Sequence, residues 1–97
     1  MTGEDYIIYV GGKPFMNYVT AVVMQFTTYG ANKVLIKSRG KFISRAVDVA
    51  EVVRSRFLMD QIKVGQIEIA SEEFDNKEGR KIKVSTLDIN LEKIEQQ

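Results

Sequence analysis

The chain has 97 residues, 44% of them hydrophobic, enough for one domain with a modest core that would gain from burying surface against a second copy. It contains no cysteine and no histidine, which excludes disulfides, thiol nucleophiles, zinc fingers and imidazole acid–base chemistry. The net charge of +1 gives no hint of a polyanionic partner, but the sum hides where the charges stand.

The opening stretch MTGEDYIIYV is acidic with a short apolar run, and nothing approaches the ~18 apolar residues of a membrane span, so the expectation is a soluble, cytoplasmic protein. DYIIYV (5–10) is β-branched and aromatic and closes on Gly11-Gly12, which predicts a strand. The single proline, Pro14, suits the first position of a helix. In the run that follows, Phe15, Val19, Val22, Val23 and Phe26 recur at three and four, with Gly30 as a stop signal. Tyr18 and most phenylalanines fall on these apolar periods and read as packing residues. KVLIKS (33–38) predicts a second strand, and Arg39, Gly40 and Lys41 the turn after it. Ile43, Ala46, Val47, Ala50, Val53 and Phe57 then mark a second amphipathic helix, with Arg45, Asp48, Glu51 and Ser55 outside.

Two long extended segments follow, QIKVGQIEIASEEF and KIKVSTLDINLEK, around the turn-forming DNKEGR. The apolar alternation slips by one between Val64 and Ile67, and again between Val84 and Leu87, which predicts a bulge or strong twist turning the distal part to another face. Fourteen residues from Gln61 to Phe74 would span roughly 45 Å, so the hairpin should protrude as an arm, over about 70–86. The expected fold is a single two-layer α/β (α+β) domain over 1–97, ordered β-α-β-α-β-β, with a four-stranded mixed sheet and two helices on one face. No metal or cofactor site is expected from these residue types, and no catalysis.

Charge is segregated along this order. From Tyr6 to Val47 there is no acid, against Lys13, Lys33, Lys37, Arg39, Lys41 and Arg45. Lys77, Arg80, Lys81 and Lys83 cluster around the hairpin turn with only Glu78, whereas the acids gather in 48–76 and at the C-terminal end. If the first two strands are parallel, the turns Gly12-Lys13 and Gly40-Lys41 emerge at one sheet edge, where glycine, lysine and a helix N-terminus together suit phosphate. The match to a nucleotide P-loop fails, because Ile7 stands where its first glycine belongs and Pro14 where its Ser or Thr belongs. Each Gly-Lys turn also reads as ordinary loop chemistry, and the tip charges as a device that keeps an exposed hairpin soluble. Asn17 stands either as a phosphate ligand or simply in an exposed first turn.

GGKPFMNYV, IKSRGKFISRAVDVAEVVRSRF and EGRKIKVSTLDINL together resemble the Alba family of archaeal chromatin proteins, over almost the whole chain. The resemblance implies a fold similar to the C-terminal domain of a bacterial translation initiation factor. It also implies a homodimer that coats and condenses double-stranded DNA and binds RNA, associated with the chromosome. By that resemblance Lys13 matches the loop lysine at the DNA-facing centre of the dimer, Arg39 and Lys41 the basic turn beside it, Arg80 and its neighbours the arm that reaches the minor groove, and Phe57 a contact between dimers. Two departures stand out. The family often has two adjacent basic residues where this chain has Gly12-Lys13, so the regulatory acetylation implied by the resemblance, with its acetyltransferase and deacetylase, would have to fall on Lys13. The family's frequent proline after the Arg-Phe-Leu stretch is Met59.

The residues thus point to a sequence-tolerant nucleic-acid binder whose cations neutralise phosphates: Lys13, Asn17, Arg39, Lys41, Arg45, Lys77, Arg80, Lys81 and Lys83. The alternatives are a ribonucleoprotein subunit, a binder of a phosphorylated metabolite at the glycine turns, and an interaction module whose arm adds a strand to another protein. The nucleic-acid reading requires the two basic turns at one end and no carboxylates interleaved among their cations.

Overall fold

In the computed structural model, which describes residues 6–95, the first strand β1 (Tyr6–Tyr9) lies parallel to β2 (Lys33–Arg39), with Tyr6 opposite Val34 and Tyr9 opposite Lys37. Parallel neighbours cannot be joined by a tight turn, so the chain crosses over through helix α1 (Phe15–Thr27). β3 (Ile62–Asp75) and β4 (Lys81–Lys93) form an antiparallel hairpin, and β4 pairs antiparallel with β2, giving the sheet order β1-β2-β4-β3. Helix α2 (Ile43–Val52) packs beside α1 on one face, over β2 and β4. The expected mixed sheet under two helices is therefore present; Asp5, included in the first strand by its sequence, lies outside the described residues.

The core fills the space between the layers. Val19 and Val22 of α1, Val49 of α2, Val53 just beyond it, Val34 and Ile36 of β2 and Leu91 of β4 are fully enclosed, each worth about 1.5–3 kcal/mol of transfer free energy. On α2 the buried stripe is Ala46, Val49, Ala50 and Val53, so two assignments shift: Val47 and Phe57 point outward, and Val49 takes the place the sequence pattern gave to Val47. Ala46, Val49, Ala50 and Val53 form the ordinary i, i+3, i+4, i+7 stripe, which leaves Val47 outside it, and Phe57 departs because the last turn, Val53–Phe57, is a π-turn closed by the Leu58 N–H donating to the Val53 carbonyl at 2.9 Å. Pro14 also stands one place earlier than expected. It precedes α1 in an extended conformation (ψ 141°), and its carbonyl accepts from the Asn17 N–H at 3.0 Å. Gly30, at φ 73°, turns the chain out of α1 as its stop signal requires.

The hairpin reaches well past the helices; the molecule measures 55 Å along its longest axis and 27 Å across. Its two phase slips have different outcomes. In β3, Val64 faces Leu91 and Ile67 faces Ile89, so Gly65 and Gln66 together oppose a single residue, Asn90. This bulge absorbs the slip and keeps Ile62, Val64, Ile67 and Ile69 on the helix side of the sheet, instead of turning the distal part away. In β4 the pairing runs unbroken from Thr86 to Lys81, so no bulge forms there, and Ile82 and Val84 do fall on the opposite face from Leu87, Ile89 and Leu91. At the tip, the Asn76 side-chain oxygen accepts from the N–H groups of Glu78 (2.9 Å) and Arg80 (3.0 Å), and Gly79 takes φ 78°.

The bulge has its own clasp, because the Asn90 side-chain amide donates to the Gln66 carbonyl at 3.0 Å. Asn90→Ala should lower unfolding free energy by about 0.5–1.5 kcal/mol in urea titrations, with the slope unchanged.

Candidate nucleic-acid interface

Because β1 and β2 run parallel, their carboxyl ends lie at one edge of the sheet, and the two segments that leave them, 11–14 and 40–42, emerge side by side. Arg39 is the last residue of β2 and not part of the turn; Gly40 (φ 58°), Lys41 and Phe42 form a short 3-10 turn into α2. Val10 donates to the Lys37 carbonyl at 2.9 Å, which carries the ladder up to the first loop.

That loop is held from two sides. The buried Tyr18 hydroxyl accepts from the N–H groups of Gly11 and Lys13, each at 3.0 Å. From α2, the Arg45 guanidinium donates to the Lys13 carbonyl at 2.8 Å. Both backbone polar groups of Lys13 are thereby engaged, and the residue is left exposed at the crest of a fixed loop. Two sequence readings change in consequence. Tyr18 is a tether as well as a packing residue, and Arg45 acts on the loop backbone from beneath. The N–H groups of Gly11 and Lys13, which would have to cradle a small phosphorylated ligand, are already bonded, so the loop is a pedestal for a lysine. Asn17 stands exposed on the first turn of α1, which carries no side-chain cap.

Lys41 is exposed, its ammonium 5.4 Å from the centre of the Phe42 ring. Arg39, by contrast, is paired: its guanidinium lies 3.1 Å from the Glu72 carboxylate and 5.9 Å from the centre of the Phe74 ring, both on β3. Lys37 pairs with Asp88 at 3.0 Å. The Asp88 hydrogen bond raises the Lys37 pKa against the opposing effect of desolvation, so on the side of the lysine the pair holds through neutral pH and is lost as pH rises beyond the ordinary lysine range. The expectation of cations without interleaved carboxylates therefore fails at Arg39 and Lys37. At the crest it holds, and among the described residues no carboxylate pairs within 4.0 Å with Lys13, Lys41, Lys77, Arg80, Lys81 or Lys83. The exposed Arg39–Glu72 pair is worth at most ~1 kcal/mol, within reach of displacement by a phosphate.

Lys77, Arg80, Lys81 and Lys83 are exposed around the arm tip, although Asp75 and Glu73 stand directly across from Lys81 and Lys83. They are not contiguous with Lys13 and Lys41; the distal arm separates the two sets. Phe57, at the end of the π-turn, is about half exposed. The described residues contain no helix long and apolar enough to cross a membrane, and no cluster of three or more metal-ligating side chains.

The family model described as Alba matches residues 7–71, about two thirds of the chain. This chain belongs to the Alba family. It is 53% identical over 90 residues to the DNA/RNA-binding protein Alba of Methanocella arvoryzae, covering 93% of this chain and 92% of that one. It is 59% identical over 87 residues to the DNA/RNA-binding protein Alba of Nanoarchaeum equitans, covering 89% and 96%. The solved structure of Alba from Thermoplasma volcanium superposes with a TM-score of 0.81 at 49% identity, over 89% of this chain and 98% of that one. The Alba fold thus accounts for the whole sheet and both helices, and the resemblance read from the sequence holds.

Within this Alba-family site the tyrosine tether is the part that sequence reasoning missed. Its only signal is spacing, a hydroxyl-bearing residue five positions after the loop lysine and one helical turn into α1. Tyr18→Phe removes the shared acceptor and leaves two loop donors unpaired. Amide hydrogen exchange at Gly11 and Lys13 should accelerate about tenfold, the equivalent of ~1.4 kcal/mol, while exchange in β2 stays unchanged.

Proposed function

We propose that this chain is a sequence-tolerant nucleic-acid-binding protein of chromatin, acting on double-stranded DNA and on RNA as a homodimer, and that it is not an enzyme. The observation that carries the reading is the pedestal geometry: a lysine with no carboxylate partner among the described residues, held at the sheet edge beside Lys41, with Arg39 near it and a further cation cluster at the arm tip. The names of the relatives, DNA/RNA-binding protein Alba, support the same class of ligand. Lys13, Asn17, Lys41 and, after exchange of Glu72 for phosphate, Arg39 contact the backbone, with Arg45 holding the loop in place. Lys77, Arg80, Lys81 and Lys83, on an arm spanning about 70–86, extend the contact along a groove. Regulatory acetylation falls on Lys13, where it would remove a charge from the crest. Chromosome association in the cytoplasm follows from the ligand.

The dimer is supported by apolar surface. Ile67 and Ile69 lie on the helix side of β3 beyond the cover of the helices, and Ile69 is 81% exposed. A second copy seated there encloses both isoleucines and doubles the number of cations facing one duplex. Phe57 then stands at the surface for contacts between neighbouring dimers.

Two measurements test the reading. Affinity for duplex DNA should fall with a slope near ~5 in log affinity against log salt for ~6 phosphates, and Lys13→Ala should reduce the slope by ~2, one unit for each subunit, equally across sequences. A salt-independent affinity, or a changed sequence preference, contradicts it. Ile69→Glu should shift the solution mass from twice 11.0 kDa to the single-chain value and weaken duplex binding.

A further inference from the structure

The sheet face opposite the helices is uncovered, and near the basic edge it forms a groove of about 550 Å³, a size usual for ligand clefts. All four strands line it: Tyr9 from β1, Lys37 and Arg39 from β2, Thr86 and Asp88 from β4, Ala70 and Glu72 from β3. Tyr9, at the end of the edge strand β1, is 68% exposed, and Ala70, on the opposite edge strand β3, leaves room at the far side of the groove. The groove begins where β1 and β2 deliver Lys13 and Lys41, and ends at the root of the arm. A strand running from one cation cluster to the other passes over it.

We propose that this groove takes an unpaired nucleobase of a single-stranded segment, stacked on Tyr9, while Lys37 and Arg39 hold the adjoining phosphates. The proposal rests on the nucleic-acid reading above, shares Arg39 with it, and adds Tyr9, Lys37 and a base site which that reading does not use. Sheet aromatics flanked by cations are a physically sound platform for bases, because every base presents a π face and every linkage a negative charge. Charge within the groove is balanced, two cations against two carboxylates, so it does not repel a nucleotide. Each carboxylate binds its cation through one oxygen, Oδ2 of Asp88 and Oε1 of Glu72, and the other oxygen has no hydrogen-bond partner among the described residues. Those free acceptors match an exocyclic amino group, as on cytosine, and oppose the carbonyl edge of uracil.

The test uses the full chain with three fluorescent probes at one salt concentration: oligo-rC and oligo-rU of about eight nucleotides, and a blunt DNA duplex. Wild type should bind oligo-rC more tightly than oligo-rU, two probes with rings of equal size. Tyr9→Ala and the groove-filling Ala70→Ile should each weaken oligo-rC binding on the order of tenfold, Tyr9→Phe should retain it, and duplex affinity should stay within about twofold throughout. The proposal is overturned if both variants bind oligo-rC like wild type, if duplex affinity falls in parallel with oligo-rC affinity, or if Tyr9→Ala changes the solution mass, which would mean that a second copy occupies the face. Failure of wild type to bind any probe would overturn the nucleic-acid reading itself, a result distinct from these.

Discussion

The parallel pairing of β1 with β2 is the constraint on which the site depends. An antiparallel arrangement of the same two strands would send the segments 11–14 and 40–42 to opposite ends of the sheet, and Lys13 would share no surface with Lys41. Parallel pairing demands a crossover, the crossover is α1, and the Tyr18 side chain of α1 is what secures the loop that begins it. Scaffold and site are in this sense one device: the helix that makes the topology possible also supplies the hydroxyl that fixes the lysine.

Magnitudes separate the cations into two groups. Those at the crest and the arm tip face solvent without a carboxylate partner among the described residues, so a phosphate gains their attraction without first breaking a pair. Arg39 and Lys37 are held by carboxylates of the hairpin, and because the Arg39–Glu72 pair is exposed its strength is comparable to a single phosphate contact. Glu72 therefore sets a threshold for Arg39 and links the basic edge to the arm, which also reaches Arg39 through Phe74. Of the acids gathered in 48–76, the hairpin brings Glu72 to the rim of the basic edge.

The hairpin carries a second consequence of local geometry. Without the Gly65-Gln66 bulge, Ile67 and Ile69 would emerge on the open face beside Ala70's groove; with it they remain level with the core residues Ile62 and Ile89. One extra residue thus keeps Ile67 and Ile69 on the helix side and leaves the groove on the other face lined by Tyr9, Lys37, Thr86 and Asp88. The two faces of a single sheet in this way present different side chains beyond the reach of the helices.

The amino-acid sequence by itself determined the element order, the helix and strand spans to within a few residues, the position of the arm turn and the Alba resemblance. These rest on local signals: apolar period, glycine and proline punctuation, and the Asx-type turn at Asn76, all of which act over a few neighbouring residues. Lys13 and Lys41 were legible as neighbours only on condition that the strands were parallel. Tertiary structure decided that condition, and with it the bonds from Tyr18 and Arg45 to the Lys13 loop, the pairing of Arg39 with Glu72 across 33 positions, and the groove under Tyr9. The physical reason is range. A hydrogen bond or ion pair between residues far apart in the chain leaves no periodic trace, and whether a strand's slip becomes a bulge or a change of face depends on the strand beside it.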